Sequence, residues 1–142
     1  TTALTLMAVA MCAAVTVAAT GEKNGYFDTV VARSIYVTND ADKFVVALGA
    51  IDGGEGLVNT YSAKGKELVE LTSTVDGHGA VTTFQPNGKN LVYLTANDNG
   101  GMNTVFNKTS EAIAQIAADE YGNGVVGAYN RKGMGRTLKP GP

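Results

Sequence analysis

The amino-acid sequence predicts a mainly β protein, a single β-solenoid (β-helix) of about five coils of 22–23 residues, preceded by an N-terminal apolar α-helix. Three observations carry this expectation. One phrase recurs four times, as Gly56-Leu-Val-Asn-Thr-Tyr61, Gly79-Ala-Val-Thr-Thr-Phe84, Gly101-Met-Asn-Thr-Val-Phe106 and Gly124-Val-Val-Gly-Ala-Tyr129. A second apolar segment keeps step with it: Val45-Val-Ala-Leu48, Leu68-Val-Glu-Leu71, Leu91-Val-Tyr-Leu94 and Ile113-Ala-Gln-Ile116. In front of both, Thr1 to Gly21 carries no charge. A fixed period that outlives so much side-chain change is the mark of one supersecondary unit repeated along the chain.

The chain divides on this reading into an apolar helix over residues 1–33 and a β-solenoid domain over residues 34–142 with a basic tail. Ala3 to Ala19 reads ALTLMAVAMCAAVTVAA, and as a helix of some 20 residues it would be about 30 Å long, the thickness of a hydrocarbon core. Its many alanines let helix backbones approach closely, which suits packing against copies of itself, and a plain membrane anchor is the other reading. The assembly face of this helix comprises Leu4, Leu6, Met7, Val9, Met11, Ala13, Val15 and Val17. Gly21 and Gly25 mark a break, and Phe27, Val30, Val31 and Ser34 fall at the spacing of a second, shorter helix.

Within each coil a short turn separates the two strands, as in Ser62-Ala-Lys-Gly65-Lys66 and Gln85-Pro-Asn-Gly88-Lys89. A Gly/Asp corner follows the second strand, at Asp52, Asp76, Asp98 and Asp119. Gly, Asn and Asp suit such places because they tolerate positive φ or accept local backbone hydrogen bonds. Stacked coils would place like residues about 4.8 Å apart. Tyr61, Phe84, Phe106 and Tyr129 would then form one core column, and Leu71, Leu94 and Ile116 a second. Leu68, Leu91 and Ile113 fall on the opposite strand face. Either the backbone bends there and turns them inward, or they form an apolar stripe for a neighbouring subunit. Residues 111–120, helix-like in composition, are read as strand because the repeat register requires it.

Composition narrows the function. The 142 residues suffice for one domain with an appendage, and a formal charge of −2 offers no basic surface for nucleic acid. The single cysteine, Cys12, rules out an intrachain disulfide and is read as a packing residue. One histidine, His78, in a Gly-rich corner makes no catalytic constellation, so the chain is read as no enzyme and as needing no cofactor. The Asp corners lack the alternating oxygen ligands of a calcium loop and read as turn chemistry. Asn107-Lys-Thr109 is a glycosylation sequon in an exposed turn, with Asn107 the possible acceptor. Arg131 and Arg136, with Lys132 and Lys139, make the tail basic, as a cap on a solenoid edge or a docking arm for the next subunit.

Two resemblances follow. The Gly-x-x-x-x-aromatic, turn-Gly and Asp-Gly pattern over residues 34–139 resembles the Gly-rich β-solenoid repeats of bacterial exported proteins. An apolar helix ahead of a β-rich head is similar in arrangement to type IV pilins and related filament subunits, although Thr5 stands where that family carries a glutamate. The second resemblance implies an extracellular, cell-surface filament, a homopolymer whose subunits touch a membrane only before assembly. The alternative is a membrane-anchored cell-surface module that binds glycan on its Tyr/Thr-rich face.

Overall fold

The computed structural model describes residues 26–141. The assembly helix expected over Ala3–Ala19, its face from Leu4 to Val17 and the glycine joint at 21–25 lie outside these residues. The chain separates into two units, Thr1–Val31 and Ala32–Pro142, and the strands all belong to the second. Residues 26–34 are irregular and exposed, so the short helix expected around Phe27 to Ser34 does not form. Among the described residues there is no helix, and none long and apolar enough to cross a membrane.

The second unit is one open sheet of ten antiparallel strands whose spatial order is their chain order. They are β1 (Ile35–Thr38), β2 (Phe44–Ala50), β3 (Gly56–Tyr61), β4 (Glu67–Ser73), β5 (Gly79–Phe84), β6 (Asn90–Asn97), β7 (Gly100–Phe106), β8 (Ala112–Ala118), β9 (Gly124–Tyr129) and β10 (Gly135–Leu138). Strands β2 to β9 fall where the repeat places them, and residues 111–120 do hold a strand, whereas β1 and β10 arise in segments read as helix continuation and as tail. The solenoid is nonetheless incorrect, because each strand pairs with its neighbours in the chain and not with its counterpart one repeat away.

The turns decide this. From Ser62, Gln85, Asn107 and Asn130 at one end of the sheet, and from Ile51, Thr74 and Asp119 at the other, one hydrogen-bond pattern recurs. The N–H of the first turn residue donates to the carbonyl four residues on, and the N–H of the fourth donates back to the carbonyl of the first. The fourth residue has positive φ, as at Gly65 (73°), Gly88 (81°) and Ser110 (75°). This is a type I turn closed by a left-handed residue, which reverses the chain tightly enough to lay each strand against the one before it. A solenoid corner would bend the chain by less and release the strand to a parallel partner. The first turn residue often caps the turn with its side chain: Asn130 Oδ1 accepts the N–H groups of Lys132 at 2.9 Å and Met134 at 3.2 Å. The period of 22–23 residues is therefore one β-hairpin with its two turns.

Candidate assembly surface

Directly opposed residues in an antiparallel pair share a face, so the register sorts every strand residue to one side of the sheet. On one side the pairing Asn59↔Glu70, Glu70↔Thr82, Thr82↔Tyr93, Tyr93↔Thr104, Thr104↔Gln115 and Gln115↔Gly127 draws a continuous row. Beside it, two residues further along each strand, stand Tyr61, Phe84, Phe106 and Tyr129. We call this the aromatic side. Asn59, Thr82 and Thr104 are buried there between longer neighbours. Asn59 Nδ2 donates to the Tyr61 hydroxyl at 3.1 Å, and a Cβ on Gly127 would meet the Tyr129 ring, so both tyrosines lie back over the residue two before them.

The four aromatics thus share a side, as the sequence suggests, but they sit on alternate strands and not in a column at single-strand spacing. Leu68, Leu91 and Ile113 occupy the strands between. Each is the extra residue of a β-bulge: Thr60 opposes Val69 while Tyr61 opposes Glu67, which leaves Leu68 unopposed, and the same shift recurs at Phe84 and Phe106. The backbone irregularity anticipated at Leu68 is real, though it is a bulge within a continuous antiparallel sheet and not a corner. Crowding on this side also pushes the Glu67 carboxyl above its ordinary range, through burial first and the Glu70 charge second. At the β1 end, the Tyr36 and Phe44 rings meet with centroids 5.1 Å apart and planes tilted by 47°, and with Lys43, Ala47, Tyr61 and Gly65 they line a cleft of about 280 Å³.

The other side is aliphatic. Its register draws the row Ile35, Leu48, Val58, Leu71, Val81, Leu94, Asn103, Ile116, Val126 and Leu138, one residue per strand across the whole sheet. Val69, Val92 and Ala114 stand two residues further along. Leu71, Leu94 and Ile116, expected in a core column, are 43%, 50% and 56% exposed, because among the described residues the sheet is one layer and no second layer covers them. Among the described residues Ala80 is the one buried hydrophobic. The strand alternation that places Val58, Val81 and Val126 in this row is legible in Leu57-Val-Asn59 and its equivalents once the strands are known to pair as hairpins.

No family model matches the chain, and no curated protein matches it. The reading of function therefore rests on these surfaces. Among the described residues no three His, Cys, Asp or Glu side chains gather as metal ligands. The Asp corners all lie at one end of the sheet, two strands apart. Asp119 serves its own turn: its Oδ1 accepts the N–H groups of Asn123 at 2.9 Å and Tyr121 at 3.0 Å, and Lys139 lies 3.9 Å from its other oxygen. Those backbone donors, that of Asn123 foremost, hold its carboxyl below the ordinary range. Asn107 caps its turn likewise, accepting from the Thr109 and Glu111 N–H groups. His78 donates its backbone N–H to the Thr74 hydroxyl oxygen. Arg131 lies in the turn before β10, while Arg136 is on that edge strand, on the aliphatic side opposite Ala128.

Proposed function

We propose that this chain is the structural subunit of an extracellular filament, a homopolymer in which sheets join edge to edge. One observation carries the reading: the sheet has an even number of strands, and among the described residues no further strand pairs with either edge. With ten strands, β1 and β10 run in opposite directions. A second copy related by simple translation sets its β1 antiparallel to the first copy's β10 with the same face outward, continuing the meander. A head-to-tail contact of this kind never closes, and so builds a fibre. β1 suits the junction, since Ile35-Tyr-Val-Thr38 is exposed along its length, β-prone and free of the charges and prolines that usually blunt a sheet edge. The uncharged apolar run from Ala3 to Ala19 supports export.

The test is electron microscopy of the full chain beside a variant with Thr38→Lys and Thr137→Lys, which sets like charges across the junction. Fibres from the parent and none from the variant are expected. Fibres from both would reject the edge junction, and their absence from both would reject the filament.

A second reading is favoured by the cleft at the β1 end, which is lined by three aromatic side chains, Tyr36, Phe44 and Tyr61, the residue type on which sugars stack. In that reading the chain is a cell-surface module that binds glycan. Retention of a glycan on an array by the parent, lost on Tyr61→Ala, would support it.

A further inference from the structure

We propose that two copies of this chain pair face to face through the aliphatic side, about a two-fold axis parallel to the strands. The inference rests on the reading that the chain assembles with itself, and it names the second surface of that assembly. The partner is argued from the shape of the row. From β2 to β10 large and small residues alternate strictly: Leu48, Val58, Leu71, Val81, Leu94, Asn103, and on through Ile116, Val126 and Leu138. Along this row ridges therefore stand on the even strands and furrows on the odd ones, and Leu71, Leu94 and Ile116 are exposed, with no described residue covering them. Facing layers pack when large residues meet small ones.

An even strand count makes this surface complementary to itself. Rotation about an axis parallel to the strands, with full overlap, lays β5 over β6 of the second copy, β4 over β7, β3 over β8 and β2 over β9. Leu94 then faces Val81 of the second copy, Leu71 faces Asn103, Ile116 faces Val58 and Leu48 faces Val126. Each pair occurs twice, as an isologous contact requires. The one exception is the rim pair Ile35 and Leu138, where two twisted sheets diverge. An in-plane axis across the strands would set ridge on ridge. The size also fits: ten strands at about 4.8 Å by two side-chain rows of roughly 7 Å give about 650 Å² per copy. Two such faces bury about 1,300 Å², within the range of specific interfaces.

The experiment uses the full chain carrying Thr38→Lys and Thr137→Lys, so that edge polymers do not obscure the result. Sedimentation should give twice the 14.6 kDa chain mass, falling to one chain when Leu71→Lys and Leu94→Lys are added. The same chain with Cys12→Ser, Leu48→Cys and Val126→Cys should form a covalent dimer with a bismaleimide of about 10 Å span, the separation of packed sheets. Within one chain those sites lie seven strands, roughly 34 Å, apart, beyond its reach. A monomer at micromolar concentration, including one whose aliphatic row is shielded by residues 1–25, overturns the proposal. So does a dimer indifferent to the two lysines or resistant to the cross-linker. Fibres formed undiminished by Leu71→Lys, Leu94→Lys protein with native edges would sink the face pairing and leave the filament standing. Dimers from a protein that never forms fibres would do the reverse.

Discussion

Gly88 sits at φ 81° and Ser110 at φ 75°, in equivalent turns of successive hairpins. A side chain costs about 1–2 kcal/mol in that conformation, whereas glycine adopts it freely. Gly88→Ala should therefore lower the stability read from urea unfolding by about 1 kcal/mol, and Ser110→Gly should raise it by a similar amount. Gly135 is constrained differently: a Cβ there would collide with the carbonyl oxygen of Ala128, which is backbone and cannot swing aside. Gly135→Ala should loosen β10, seen as faster amide exchange from 135 to 138 and little change in β5. Glu67 gives a pH signature. Its carboxyl is raised in the folded protein, so that contribution favours folding at acid pH and is lost as pH rises through the folded pKa. Glu67→Gln should raise the melting temperature at pH 7, and the gain should shrink below about pH 4. The turn chemistry at this scale is readable from the sequence, because Gly, Asn and Asp occur where positive φ and side-chain caps are needed.

At the scale of elements, the strands are legible and their pairing is not. The phrase ending in Tyr61 and the segment Leu68–Leu71 recur at 22–23 residues whether the chain coils or folds back. What separates the two folds is the bond from the Ser62 N–H to the Lys66 carbonyl, 2.7 Å in length, which makes the link between β3 and β4 a hairpin. Periodicity does not carry that information; the tightness of the turn does. The consequence falls on the leucines. Leu71 and Leu94 align perfectly as a column, and nothing in their alternation says whether a second layer covers them. Truncation separates the sides: Phe84→Ala on the crowded aromatic side should cost the isolated chain about 1–2 kcal/mol, half to two-thirds of the value for full burial. Leu94→Ala should cost less, about 1 kcal/mol at most, in dilute, unassociated protein, where half of its surface already meets water. Denaturant titrations of the two variants check this, and equal losses would restore the closed core.

For the molecule as a whole, a one-layer sheet with a single buried hydrophobic among its described residues draws little stability from its own interior. Association that buries the aliphatic side or extends the edges adds to it by mass action. The melting temperature should accordingly rise with protein concentration for the parent and stay constant for a chain carrying Thr38→Lys, Thr137→Lys, Leu71→Lys and Leu94→Lys. The repeat explains why function was less legible than architecture: it specifies surfaces, one crowded with aromatics and one ridged with leucines, and surfaces show their use only against a partner. Fibre diffraction from aligned full-chain material tests the central claim most directly. Joined edges predict a meridional spacing of about 4.8 Å with a subunit repeat near ten times that, about 48 Å, along the same axis. Discrete particles, or fibres without strands stacked along their axis, would contradict it.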